Sequence, residues 1–414
     1  MKFILTCPFG TTQIAKKELS ILWYKATITS HTSVEFEWDE AAIARVNINS
    51  RIGNKLFLVL ATGQAKDFEW LFGVISSVDR SKYIAPKQPV LTDALTRQSL
   101  LTSVPTIQWI TKKAITKKLL GSDERRDEDN TLQAIDIMIT LDRDNCYVLL
   151  NTTWESLHER WYRHHAGIAP LKENLAAAFV LSSGRKFSTP LVDPFCGAGT
   201  ICIEAALIAK NIAPWINRWF AFHGFEWYPN SHFKDAMAVA EAKVMTDKKH
   251  TIIGHDIDPV MIDIARKNAR NAWVEEYIEF SVRDFMTTSV MPDFNVISTE
   301  MSTANEMEKS FDNEEKDLST SLEMTKWQND EMTKPQDTRF SIVTNPPYGE
   351  RMSIADSMML YRRLLDLYQD NENINGGFIS NAPDVETLFD YTLWKHSKFY
   401  NGPLECSFYK IARL

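Results

Sequence analysis

Cysteine is scarce and unpatterned in this chain: five residues, Cys7, Cys146, Cys196, Cys202 and Cys406, with no C-x-x-C pair among 414 positions. That spacing excludes a disulfide framework and a zinc knuckle, and the thiols read as reduced core groups. Long hydrophobic runs are missing too. The longest, such as residues 56–61, fall far short of the roughly 18–20 apolar residues of a membrane helix. The opening Met1-Lys2-Phe3-Ile4-Leu5-Thr6-Cys7-Pro8 breaks off before a signal-peptide core develops, so the expectation is a cytoplasmic protein with no membrane partner. Only His164 and His165 are neighbouring histidines, and adjacent residues do not share a helix face, so no metal site is expected.

What is present fits a globular chain of two to three domains, with 44% hydrophobic and 24% charged residues. The net charge of −8 is unevenly spread. Residues 297–336 hold ten acids against four lysines, a net of −6, which leaves −2 for the rest. This stretch has little periodic hydrophobicity and repeats Glu-Met-Thr-Lys at 323–326 and 331–334. Its composition predicts a disordered acidic insertion, because it cannot bury enough apolar surface to offset its ordering entropy.

Before it, two regions differ in rhythm. From residue 1 to about 153, short strands and helices alternate: residues 3–7 and 33–38 read as strands and 11–22 as a helix. Ile135, Ile137, Ile139 and Leu141 alternate with polar positions, Asp142-Arg143-Asp144-Asn145 turns the chain and residues 146–151 return, which predicts a hairpin with one buried face. Val104, Ile107, Ile110, Ala114, Ile115 and Leu119 fall at helical spacing, with Lys113 and Lys117 on the opposite face and Lys112 on its flank. A lysine face is usually a solvated face, but these three are the candidate phosphate contacts of this region.

From about residue 160 a helix (169–181) leads into apolar strand runs, each ending in an acidic or glycine-rich turn and followed by a helix, the grammar of a parallel, doubly wound sheet. The first strand end reads Asp193-Pro194-Phe195-Cys196-Gly197-Ala198-Gly199-Thr200. Its glycines let the backbone approach a ligand, yet the third glycine of a dinucleotide fingerprint is replaced by Cys202, so a pyrophosphate is not expected. The strand-end acid Asp193 suits a cationic ligand instead, and S-adenosylmethionine carries an ammonium and a sulfonium. The next strand ends at Asp256-Ile257-Asp258, where a carboxylate could accept ribose hydroxyls. A third ends in Arg283-Asp284-Phe285, offering a carboxylate to an adenine amine and a ring beside the base. Singly each acid could be a helix cap, but three at successive strand ends point to one ligand. The fourth strand ends in Asn345-Pro346-Pro347-Tyr348-Gly349-Glu350-Arg351, where two prolines cannot donate and the Asn345 side-chain oxygen and Pro346 carbonyl can accept from a planar amine.

With Leu171-Lys172-Glu173 before these motifs, Tyr400 to Cys406 after them and Cys7-Pro8-Phe9-Gly10 at the start, the chain resembles the THUMP-domain class I S-adenosylmethionine-dependent RNA methyltransferases that make N2-methylguanosine in large-subunit ribosomal RNA. The resemblance implies an α/β fold in which an N-terminal ferredoxin-like segment (1–60) and a THUMP RNA-binding domain (61–155) precede a Rossmann-like methyltransferase domain (160–414). It implies cofactor contacts at Asp193, Pro194, Cys196, Gly197, Gly199, Thr200, Asp256, Ile257, Asp284, Phe285 and Asn345, and catalysis at Asn345, Pro346, Pro347 and Tyr348. RNA contacts are expected at Lys112, Lys113, Lys117 and Arg351, with ribosomal RNA or an assembly intermediate as partner and no DNA. N6-adenine methylation of RNA is the alternative chemistry, and a nonenzymatic RNA-binding or ribosome-assembly factor is the alternative class. Seven aromatics between residues 214 and 230 are expected to be core more readily than a base-stacking platform.

Overall fold

The computed structural model of the chain describes residues 1–414 apart from 86, 121–127, 164–170, 184–188, 216–217, 246–250, 288–339, 348–353, 382–384, 386–387, 389–393, 403 and 412–414. The acidic stretch 297–336, Tyr348 and Arg351 therefore lie outside the described residues. In chain order the elements begin β1 (Lys2–Thr6), α1 (Thr12–Ile21), β2 (Ala26–Ser30), β3 (Ser33–Glu37), α2 (Ala42–Asn49), β4 (Lys55–Gln64), α3 (Phe68–Ser76) and α4 (Arg80–Tyr83). They continue with β5 (Val90–Arg97), α5 (Val104–Leu120), β6 (Ile135–Asp142), β7 (Asn145–Asn151), α6 (Glu173–Ser182), β8 (Leu191–Asp193), α7 (Thr200–Ala209) and α8 (Asn230–Ala242). The last are β9 (Ile252–Asp256), α9 (Pro259–Asn271), β10 (Ile278–Val282), β11 (Phe340–Thr344), α10 (Ile354–Asp370), β12 (Ile374–Ser380), β13 (Trp394–Asn401) and β14 (Leu404–Ile411).

Two compact units result: Met1–Glu159 with Ala213–Lys243, and Arg160–Ile212 with Val244–Leu414. The first is built on one seven-stranded sheet in the order β2-β3-β1-β4-β7-β6-β5. Strand β4 pairs with β1 along one edge and with β7 along the other, so the expected boundary at residues 60 and 61 falls inside a strand common to both halves. The hairpin β6–β7 forms as its alternation predicts, with Ile135, Ile137, Ile139 and Leu141 all at 1% exposure or less. Arg143 and Asp144 at its tip have φ of 51° and 63°, the left-handed pair of a tight two-residue turn. Helix α3 starts where Asp67 accepts from Glu69 N and Trp70 N, at 3.0 and 2.9 Å.

The segment Ala213–Lys243 lies in sequence within the expected methyltransferase domain but packs in the first unit. Of its aromatics, Trp215, Phe220, Phe222, Phe225 and Tyr228 are buried, and the Tyr228 hydroxyl accepts from Ala44 N of α2 at 3.1 Å. Trp227 and Phe233 are half-buried, and Trp219 is 65% exposed.

The second unit carries the sheet β10-β9-β8-β11-β12-β14-β13, parallel from β10 to β12 with β14 antiparallel to both its neighbours. The first strand of the unit, β8, has β9 on one side and β11 on the other, so the winding direction reverses there and a crevice opens at the carboxyl ends of β8, β9 and β11. Helix α6 begins at Glu173, four residues later than its hydrophobicity suggested, because Lys172 stays extended at φ −65°, ψ 140°. All five cysteines are buried free thiols. Among the described residues no helix is long and apolar enough to cross a membrane, and no group of three or more His, Cys, Asp or Glu could hold a metal.

Strand β12 fits beside β11 through Gly376, whose φ is +116° and whose missing Cβ would lie 1.9 Å from the Ile342 carbonyl oxygen. Gly376→Ala should destabilise the protein by roughly 2–5 kcal/mol, combining backbone strain with overpacking against a main-chain atom that cannot swing aside. Chemical denaturation measures this directly. An unchanged midpoint would mean that β12 shifts freely.

Candidate active site

Each carboxyl-end loop of the second unit contributes one piece. Asp193, the last residue of β8, is 1% exposed, and its Oδ1 accepts from Phe195 N at 3.2 Å and from the Thr344 hydroxyl at 2.5 Å. Burial raises its carboxyl to about 7, against the lowering effects of the Thr344 and Phe195 hydrogen bonds, with the Asp256 charge adding to the rise. A buried carboxylate so placed is a receptor for a cation.

The glycine loop that follows is fixed from three directions. Cys196 N donates to His255 O at 2.8 Å, Gly197 N to Asp256 Oδ2 at 2.9 Å, and Asn268 Nδ2 of α9 to Ala198 O at 3.1 Å. Gly197 and Gly199 have φ of +51° and +83°, conformations that a side chain would strain. Around Gly197 a Cβ would meet nothing within 4 Å, so the loop has open space beside it. Gly199 caps α7, whose first residue, Thr200, is buried with Pro194 and Cys196. Burial pushes the Cys196 thiol well above its ordinary value, which makes it a packing group and not a nucleophile.

Asp256 is engaged through both oxygens, Oδ2 as above and Oδ1 from Asp258 N at 2.9 Å. A carboxylate offers about four acceptor sites, so capacity remains for hydroxyls. Asp258 is a helix cap: its Oδ1 accepts from Val260 N at 2.8 Å at the start of α9. Ile257 between them is 66% exposed. Asp284 forms a tight turn, Oδ1 taking Met286 N at 2.8 Å and Oδ2 the Thr287 hydroxyl at 3.1 Å. The Phe285 ring is 5% exposed, 4.7 Å from Phe195 and 5.5 Å from the Arg363 guanidinium, in the core cluster that includes Val192 of β8 and Ile342 of β11.

Asn345 follows Thr344 at the end of fully buried β11. Its side-chain oxygen is buried and has no hydrogen-bond partner among the described residues, an unmet acceptor that costs about 1–3 kcal/mol unless something donates to it. Pro346 is buried and Pro347 half-buried beside it. Tyr348 and Arg351 are beyond the described residues. Behind the glycine loop, Glu204 of α7 accepts from Arg160 Nε at 3.2 Å and from the Tyr162 hydroxyl at 3.0 Å. Glu173 pairs with Arg163 Nε at 3.0 Å, and burial raises its carboxyl to about 7 despite that partner.

Thr344 and Asn268 escaped sequence reasoning. Thr344 reads as one more strand residue, and Asn268 as a polar position on an amphipathic helix. Its only signal is that it falls on the buried face between Ala265 and Ala269. The candidate RNA contacts are in the first unit on α5: Lys112 is 3.8 Å from Glu128, Lys113 lies 5.1 Å over the Trp109 ring, and Lys117 is exposed.

Residues 160–302 and 305–410 match the RMKL-like methyltransferase domain, and residues 2–57 match the RlmL ferredoxin-like domain. The chain belongs to the RMKL-like methyltransferase family. Its α/β fold is thus a ferredoxin-like N-terminal domain with a Rossmann-like class I methyltransferase, and its cofactor is S-adenosylmethionine. Within this similarity, the putative RNA methyltransferase YpsC of Bacillus subtilis (strain 168) is 31% identical over 412 residues, covering 98% of this chain and 94% of that protein. The ribosomal RNA large subunit methyltransferase K/L of Colwellia psychrerythraea (strain 34H) is 28% identical over 413 residues, 97% of this chain and 51% of that one, so the chain spans about half its length. A solved structure of SMU.472, a putative methyltransferase complexed with SAH, is similar over 100% of this chain and 98% of that one, with TM-score 0.79 and 29% identity. In this family setting the buried Asp193 and the open glycine loop fit the methionine end of the cofactor.

The raised carboxyl of Asp193 has a consequence for pH. The free folded chain holds a proton there that the unfolded chain loses near 3.8, so its contribution to stability is full below that pH and is lost as pH rises through about 7. An ammonium-bearing ligand favours the ionised form. S-adenosylmethionine affinity, measured by calorimetry, should therefore tighten as pH rises towards 7, by up to roughly tenfold per unit, and level off above it. Glu173 titrates in the same range, so the assignment depends on Asp193→Asn, which should weaken binding and flatten the profile. A parent profile already flat between pH 5 and about 8 would remove Asp193 from the cofactor site.

Proposed function

We propose that the chain transfers a methyl group to the exocyclic N2 amine of a guanine in large-subunit ribosomal RNA. The observation that carries this reading is the buried, unpartnered oxygen of Asn345, at the end of β11 and one residue from the Thr344 hydroxyl bonded to Asp193. An acceptor in that position wants a planar N–H donor, and the adjoining proline cannot compete for it. When bound, S-adenosylmethionine supplies the methyl carbon. Asn345 Oδ1 and the Pro346 carbonyl accept the two amino hydrogens and turn the nitrogen lone pair towards that carbon. The amine acidifies as it is alkylated and gives its proton to solvent or to the loop, so positioning dominates and no strong base is required.

A guanine N2 buried in a duplex cannot reach such a site, so the base is taken out of the stack or comes from a single strand. The names of YpsC and of the K/L proteins support RNA, and those of the K/L proteins support the large ribosomal subunit. An expected THUMP domain within residues 61–155 would supply the grip on RNA.

Mass spectrometry of nucleosides, after ribosomal RNA lacking the modification is incubated with the protein and labelled S-adenosylmethionine, should find label in N2-methylguanosine. Label in N6-methyladenosine would transfer the mechanism to adenine, whose amine the same turn could hold. Asn345→Ala should slow single-turnover methyl transfer by roughly 10²–10³ while cofactor and RNA affinities change little, since the contact acts at the barrier. Near-normal turnover in that variant would defeat the assignment.

A further inference from the structure

Helix α1 closes on Leu22, and the next residue, Trp23, has φ 74°. The backbone there finishes the helix, with Trp23 N donating to Ser20 O at 3.1 Å and Tyr24 N to Leu19 O at 2.9 Å. This left-handed position favours glycine or asparagine, and a bulky residue in it carries a conformational cost. Burial of the ring does little to offset that cost, because Trp23 is 59% exposed.

The indole lines a groove of about 320 Å³ in the first unit, bounded by α2 and α8. Leu22 and Ala236 give the groove an apolar lining and Val239 extends it. Arg45 of α2 and Lys243, at the C-cap of α8, line it as well. They are near enough that, after desolvation, the Arg45 charge helps to hold the Lys243 ammonium below its ordinary value. Asp235 is the carboxylate in the same lining, so cations outnumber acids. Two cations held together beside an exposed flat ring match a ligand with an anion joined to an aromatic plane.

We propose that this groove docks one single-stranded nucleotide of the RNA substrate, its base against Trp23 and its phosphate between Arg45 and Lys243. The proposal rests on the RNA-methyltransferase reading and adds to it a contact point in the ferredoxin-like part of the chain, away from the expected lysines of α5. An acidic peptide would answer the two cations but would leave the indole without a planar partner.

The test is fluorescence anisotropy of a short labelled single-stranded RNA with the full chain over a series of salt concentrations. Trp23→Asn should weaken binding by roughly 5- to 150-fold, the span of one lost base–aromatic stack. Because asparagine suits the left-handed position, its thermal midpoint should hold or rise, which separates lost recognition from lost folding. Replacing Arg45 and Lys243 by Gln together should lower the slope of log affinity against log salt by roughly 0.7, one phosphate contact on a single strand. Unchanged affinity in Trp23→Asn with an unchanged slope in the double variant overturns the proposal. So does displacement of the RNA by a polyglutamate peptide whose own binding is weakened equally by Trp23→Asn. Methyl transfer to bulk ribosomal RNA by the parent chain reports on the activity reading separately. If the parent transfers methyl groups and the variants bind RNA as it does, the groove alone is refuted. A parent that neither binds RNA nor transfers methyl groups refutes both.

Discussion

Paired register between β8 and β11 stops at Val192 and Ile342, and beyond that point the Thr344 hydroxyl reaches across to Asp193 at 2.5 Å. A hydroxyl–carboxyl hydrogen bond of this kind strengthens when the carboxyl ionises, and both groups are almost fully shielded from competing water. The loop that follows β8 and the loop that follows β11, which carries Asn345, are therefore joined by a short contact between buried groups. Their spacing follows from the register of β8 and β11 and not from the loops themselves.

The two candidate loops were legible because their residues break the local pattern: Gly197 and Gly199 interrupt an apolar run, and Pro346 and Pro347 end a strand. The hairpin at Arg143 and Asp144 was legible for the same reason, since strict alternation on either side left only one place to turn. An aromatic after a strand-end acid has the same appearance in sequence whether it packs in the core or not, so the contact of Phe285 with Phe195, set by tertiary packing, was not legible. The start of α6 was placed too early because apolar spacing runs through the extended residue Lys172. Nothing in the local pattern of residues 213–243 records which sheet they will pack against.

Polar burial behind the glycine loop is expensive. Arg160 and Glu204 have side chains with no exposed surface, and among the described residues neither Glu204 Oε2 nor Glu173 Oε2 has a hydrogen-bond partner. Apolar residues of similar volume would be at least as stabilising. The network instead ties α7, whose first turn follows the loop, to Arg160 and Tyr162, so geometry is gained where stability is not. Asn271 continues the tie from α9, donating to Tyr162 O at 3.2 Å.

The return of Ala213–Lys243 to the first unit makes the chain discontinuous in its construction. Ala44 and Tyr228, bonded to one another, are 184 positions apart. During synthesis the first sheet can assemble once β7 has emerged, yet α2 waits uncovered until α8 has been made, by which time β8 and α7 of the second unit already exist. The two units then share a folding history without sharing a sheet. A long-range closure of this kind is slow relative to local pairing, and it leaves a half-dressed helical surface during the delay. No cut at a single peptide bond separates the units, so a fragment ending near residue 159 would carry that uncovered surface permanently.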